Sequence, residues 1–191
     1  MDSPEHVTQT TLTPAEDEPL SRVRIVSERL GLVYADEGDL VEMSAPIPGF
    51  PQSLRYCLIP TDEAGGSPFL WLQSMDEPAL AFIAVVPFEF FPEYDMELPG
   101  PDQEELDIRS AEDVLLLTLV TIPPGRPEDV TANLVAPVVV NTRTRRARQV
   151  ILYDSGYTTR HYLLPHEEDV VAQPAPDAEQ DTGEDRPSGD P

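Results

Sequence analysis

The 191-residue sequence contains no lysine, one cysteine, one tryptophan and three histidines. All 12 basic residues are arginine, set against 36 Asp and Glu, so the chain carries −24 with a pI near 4.1. That balance leaves no basic footprint for nucleic-acid phosphates and none for an anionic lipid surface. Protein partners, by the same logic, are expected to be basic. Cys57 alone makes neither an internal disulfide nor a thiolate metal cluster. The longest apolar stretch, Ala79 to Phe88, is about half of a membrane span and contains Pro87, so no transmembrane helix is expected. The opening Met1-Asp2-Ser3-Pro4-Glu5 lacks the positive start and apolar core of a secretory signal. With one unpaired cysteine, a cytoplasmic location is the expectation.

Catalytic constellations are equally sparse. Nucleophilic catalysis needs an activated Ser or Cys beside a base. Cys57 lies in the alternating run Leu54-Arg55-Tyr56-Cys57-Leu58, where a free cysteine reads as a small core hydrophobe. His6 and His166 fall in the terminal segments, which leaves His161 as the sole imidazole of the central region. One histidine builds no transition-metal site, and the acids show no calcium-loop spacing. Gly65-Gly66-Ser67 is too short for a phosphate loop and reads as a tight turn. No catalytic residue, cofactor or metal is assigned, and a binding module rather than an enzyme is expected.

What is present divides the chain into three parts. Residues 1–21 hold five acids and no arginine; residues 165–191 hold nine acids, Arg186 and five prolines. Neither end can bury enough apolar surface to offset its ordering entropy, so both are expected to be disordered. The ends contribute −5 and −8, leaving −11 for one domain over 22–164. Within it, residues 143–164 are locally basic, at +4. An acidic tail could cover that basic hairpin; a solvated tail that keeps the chain soluble is the plainer reading.

The domain reads as short β-runs punctuated by turns. Strands are expected at Arg22–Glu28, Gly31–Tyr34, Leu40–Met43, Arg55–Ile59, Phe69–Gln73 and Leu80–Val86. Further strands are expected at Val114–Ile122, Val130–Asn141, Arg148–Asp154 and Thr158–Leu163. Ser110-Ala111-Glu112-Asp113 resembles a helix start, but the β-branched residues after it favour a buried strand. Asp102–Leu106 is the one short helix. So many short strands in about 140 residues predict a mainly β fold, an antiparallel barrel-like or strongly curled sheet without long edges.

Three stretches go beyond generic β-pattern. They are Leu54–Pro60 with Pro68–Ser74; Pro78–Phe82 with Pro87–Tyr94; and Thr131–Asn141 with Arg148–Leu152 and Arg160-His161. Preceded by Ile47-Pro48-Gly49-Phe50 and taken in order, they resemble the flagellar assembly factor FliW family across residues 22–164. The resemblance implies a bacterial cytoplasmic protein with a mostly β, barrel-like fold and no enzymatic activity. It also implies two partners: CsrA, a dimeric RNA-binding repressor of flagellin translation, and flagellin itself. Unexported flagellin would capture the protein and free CsrA to repress. One departure stands out: Ala147 occupies a hairpin position where the family usually has glycine, so a left-handed backbone there would be strained.

Candidate binding residues follow from chemistry. Phe88, Phe90, Phe91 and Tyr94 put four aromatics in seven residues, between Pro87 and Pro92 and among acids. They read either as a partner-binding patch or as a satellite core. Arg143, Arg145 and Arg146 form either a solvated turn or a grip on an acidic surface. Trp71 reads as core, and Asn133 as a backbone-bonding residue at an irregular strand marked by Pro137. A monomer is expected when free of partners. The rival reading is a cavity-containing β-barrel that binds or hydrolyses a ligand with His161, Tyr157 and an acid at its mouth. A further one is a chaperone that shields flagellin without touching translation.

Overall fold

The computed structural model describes residues 22–62 and 66–165. The terminal segments expected to be disordered, apart from Pro165, lie outside the described residues, as does Gly65 of the Gly-Gly turn. The described residues form eleven strands. They are β1 Arg22–Ser27, β2 Gly31–Asp36, β3 Leu40–Met43, β4 Arg55–Pro60, β5 Phe69–Ser74, β6 Ala81–Val85, β7 Val114–Thr121, β8 Thr131–Ala132, β9 Val138–Asn141, β10 Arg146–Gln149 and β11 His161–Tyr162. One α-helix, α1, spans Gly100–Leu106. Among the described residues no helix is long and apolar enough to cross a membrane.

Seven strands close into a barrel. The ring runs β7-β6-β5-β4-β3-β10-β9 and returns to β7 through the pairing of Val114–Leu117 with Val138–Asn141. Every joint is antiparallel except β3 with β10, which is parallel. Closure removes the sheet edges that would otherwise invite pairing with other chains. The β1–β2 hairpin is a separate two-stranded sheet, and β8 and β11 extend the barrel sheet beyond β7.

Side-chain alternation sorts the strands into two apolar sets. Inward-facing Val41, Met43, Tyr56, Leu58, Leu72, Ala84, Leu117, Val138, Val140 and Ala147 pack together and fill the barrel, as small barrels require. Outward-facing Val85, Leu116 and Val139 join a second cluster with Tyr94, Leu106, Leu134 and Leu152, contributed by the covering segments. Cys57 faces outward too, sealed beneath the β1–β2 hairpin with Ile25 and Ala35. A run such as Val114–Thr121 is therefore apolar on both faces, because it has a core on each side.

Three strand expectations needed correction. Val130–Asn141 is two strands, β8 and β9, both lying along β7. Between them the Asn133 side chain accepts a hydrogen bond from the Ala136 amide (3.1 Å), and Pro137 has no amide to offer a ladder. Arg148–Asp154 shifts to Arg146–Gln149; beyond it the chain only follows the 135–137 loop through Val150 N to Pro137 O and Leu152 N to Val135 O. Thr158–Leu163 shrinks to the two residues of β11. Ser110 gives no side-chain cap; a single 3₁₀ turn, Ala111–Asp113, precedes β7. Ala147 is not strained. It sits in β10 facing the barrel interior, fully buried, and Arg145 is the residue that takes the left-handed conformation (φ 61°). Trp71 faces out of the barrel, half-buried, with the Arg29 guanidinium 5.5 Å from its ring centre.

Asn141 fastens the helix to the barrel. Fully buried at the end of β9, it donates through Nδ2 to the Leu106 and Asp107 carbonyls (2.8 and 2.9 Å), satisfying the exposed end of α1. Its Oδ1 accepts from the Arg143 and Thr144 amides (2.9 and 3.0 Å), which shapes the β9–β10 turn. Asn141→Ala should therefore lower stability by about 3 kcal/mol, through several buried groups left unpaired. Arg146→Ala, at an exposed site, should stay within about 0.5 kcal/mol. Urea titration of both variants checks this.

Burial also pushes the Cys57 thiol and the Tyr56 phenol up to about 12, from ordinary values of 9.0 and 10.0. Between those limits the folded state holds protons that the unfolded chain has lost. Stability should hold below about pH 9 and fall as pH rises toward 12. Urea midpoints at pH 8 and pH 11 test the sign. In the native state at pH 8, Cys57 should resist a thiol reagent until the chain unfolds.

Candidate protein-binding surface

The aromatic cluster follows β6 on a turn whose form is set by Pro87. Proline suits the first position of the 3₁₀ turn Pro87–Glu89, where an amide would be unsatisfied anyway. The Phe90 and Phe91 amides both donate to the Pro87 carbonyl (3.0 and 2.8 Å), and Tyr94 N donates to Phe91 O. This winding separates the four rings. Tyr94 is interior, 4 % exposed, with its hydroxyl donating to the Leu134 carbonyl (2.8 Å) and its ring centre 4.7 Å from that of Tyr157. Burial raises its phenol pKa above the ordinary range. Phe90 is half-buried against Phe69, and Phe91 meets His161 edge-on. Phe88 alone among them is exposed, at 49 %.

Phe88 lies on one wall of a groove of about 570 Å³. The floor is the outward face of the barrel, Val114, Leu116 and Val139. Met96, Leu98, Gln103, Ile108, Arg109, Ser110 and Ala111 complete its lining. The seven-residue helix α1 contributes Gln103 to it. A second groove of about 440 Å³ adjoins it at Met96 and runs between Asp95–Pro99 and Ile151–Tyr157. Tyr153 stands beside it, 82 % exposed.

The three candidate arginines have different surroundings. Arg143 donates from Nη2 to the Asp107 carbonyl (2.9 Å) and carboxylate (2.8 Å), with Asp113 3.9 Å from its Nε. The Arg143 and Arg109 guanidinium groups hold the Asp107 carboxyl below its usual range, and Asp107 in turn raises Arg143. Arg145 is half-buried and donates from Nε to the Leu40 carbonyl (3.1 Å). Arg146 is exposed. Arg148, outside the candidate set, bridges Asp102 and Glu105 of α1. Residues 107–113 connect the two candidate groups: Ile108 to Ala111 line the same groove as Phe88, and Asp107 and Asp113 are the partners of Arg143.

His161 occupies a packing position. Its Nε2 accepts the Thr158 amide (2.9 Å), and its ring lies edge-on to Phe91 and Tyr157. Neither groove is lined by it. Sequence reasoning missed Met96, Leu98 and Ile108; their only trace is apolar residues scattered through an acidic stretch.

The chain was compared with known proteins. The family model described as FliW protein matches residues 24–163. A flagellar assembly factor FliW from Magnetococcus marinus is 39 % identical over 143 residues, 75 % of this chain and 86 % of the relative. One from a Geobacillus species is 38 % identical over 144 residues, 75 % of this chain and 96 % of that relative. A crystal structure of the flagellar assembly factor FliW superposes with a TM-score of 0.69 at 35 % identity, covering 76 % of this chain and 99 % of that one. Motif order, barrel closure and identity across the whole described body agree: this chain belongs to the FliW family of flagellar assembly factors.

Proposed function

We propose that this chain is a cytoplasmic, non-catalytic regulator that exchanges two protein partners, a CsrA-type RNA-binding repressor and flagellin. Holding the repressor permits flagellin synthesis; holding unexported flagellin releases the repressor. The free chain is a monomer and touches no nucleic acid itself. The observation that carries this reading is the family match over residues 24–163, which takes in the whole barrel. The physical chemistry agrees with it. The barrel interior is packed with apolar side chains, Tyr56 among them, while a largely apolar groove opens on the outside, where a protein surface could reach it. A net charge of −24 favours fast encounter with a basic partner.

In this reading Phe88 makes direct contact and rests on Tyr94, while Phe90 and Phe91 pack the same turn against Phe69 and His161. The Arg143, Arg145 and Arg146 turn borders the same loop and offers Arg146 to solvent.

The test is retention of each partner by the immobilised full chain. Both should be held at about micromolar concentration, and added flagellin should displace the repressor. Translation of flagellin message, repressed by CsrA in vitro, should recover when the chain is added. Retention of neither partner overturns the proposal. Retention of flagellin with no effect on translation would leave a shielding chaperone in its place.

A further inference from the structure

We propose that the groove beside α1 is the docking site for a basic amphipathic segment of a protein partner, with apolar side chains in the groove and lysine or arginine on its flanks. This rests on the protein-binding reading above and gives it a place and a chemistry.

The groove supplies the apolar half. Val114, Leu116 and Val139, from β7 and β9, line it together with Phe88, Leu98 and Ile108. Its volume of about 570 Å³ is in the range of sites that enclose several apolar groups. Phe88, half exposed and seated on buried Tyr94, has the character of a binding anchor: a large ring held in place from below.

The rim supplies the charge. Residues 87–113 hold ten carboxylates and the single Arg109, a net −9 out of −11 for residues 22–164. Four of the ten are engaged by arginine: Asp102 and Glu105 by Arg148, Asp107 and Asp113 by Arg143. Arg109 is itself turned to Asp107. The other six, Glu89, Glu93, Asp95, Glu97, Glu104 and Glu112, are exposed and make no ion pair among the described residues. An apolar floor inside an anionic rim selects a segment with the opposite pattern.

The same charge weighs against the alternative occupants. This chain's own termini carry −5 and −8, the same sign as the rim. A second copy would bring an identical acidic rim against this one. A basic partner is the occupant that gains from both halves of the site.

Fluorescence anisotropy with the full-length chain tests this using three labelled peptides of about 14 residues. One has leucines at i, i+3, i+4 and i+7 with lysines on its flanks; the second replaces the lysines by glutamate; the third keeps the lysines and replaces the leucines by serine. The first should bind at micromolar concentration and the other two at least about tenfold more weakly. Phe88→Ala should weaken the first peptide about tenfold while leaving the thermal midpoint nearly unchanged. Glu89→Gln with Asp95→Gln and Glu97→Gln should weaken it and flatten its salt dependence.

Equal binding of the leucine and serine peptides, or indifference to Phe88→Ala, overturns the proposal. So does concentration-dependent dimerisation lost in Phe88→Ala, which would give the groove to a second copy. A large gain in peptide affinity on removing residues 166–191 would give it to the chain's own terminus and also overturn the proposal. The partner pull-down separates this idea from the one beneath it. If Phe88→Ala retains the repressor and flagellin undiminished, the groove assignment falls and the regulator stands. If the wild-type chain retains neither but binds the lysine–leucine peptide selectively, the reverse holds.

Discussion

The pairing of β7 with strands on both of its edges is the constraint on which the rest of the molecule depends. One edge joins β6; the other joins β9 and then β8. That second pairing turns a curled sheet into a closed ring, which gives the inward faces a private core. It also commits the outward faces of β7 and β9 to a cover, because Leu116 and Val139 point away from the barrel. The cover is assembled from pieces with little regular structure: the 87–98 segment, α1 and residues 150–163. Their backbone groups find partners one by one, as when Val135 N donates to Thr158 O and Leu163 N donates to Val130 O. An irregular cover over a regular barrel is where grooves form.

Much of this architecture was legible. A run with β-branched residues and apolar side chains on both faces, Val114–Thr121, reads as a strand covered on both sides, and it is one. Asp102–Leu106 announced the one α-helix among the described residues, Gly100–Leu106. What could not be read was where a strand breaks while keeping its direction. Val130–Asn141 has continuous β-propensity; its interruption depends on Asn133 folding back onto the Ala136 amide, a local competition that propensity does not report. Ala147 shows the opposite error. The glycine usual at its position in the family raised a left-handed backbone there, but the β9–β10 loop gives that role to Arg145 and leaves Ala147 facing the barrel interior, paired with Val140 and Met43.

The candidate surface was legible in composition and illegible in direction. Four aromatics in seven residues were evident, yet the 3₁₀ turn at Pro87 decides that Tyr94 points in and Phe88 out. The groove itself joins Phe88, Ile108 and Val139, which are far apart in sequence and meet only because β6, β7 and β9 are neighbours. The family resemblance carries the barrel, but nothing in it marks the groove, which arises only from the tertiary arrangement.

The arginines show how a charge pattern acquires meaning from the fold. Each exposed ion pair contributes little stability, on the order of 1 kcal/mol or less. Arg143 and Arg148 are therefore poor candidates for what holds the molecule together, a task that falls to the barrel interior and to Asn141. Their effect is selective. Rising from β9–β10 against α1, they engage the carboxylates of the helix and its C-terminal loop. The acids around Phe88, in 89–97, lie beyond their reach and make no such pairs. The basic hairpin thereby offsets the acids of α1 and its C-terminal loop and leaves those of 89–97 without an ion pair beside an opening in the apolar cover. A partner approaching this chain meets charge and an exposed ring at the same place, which makes encounter and docking a single event.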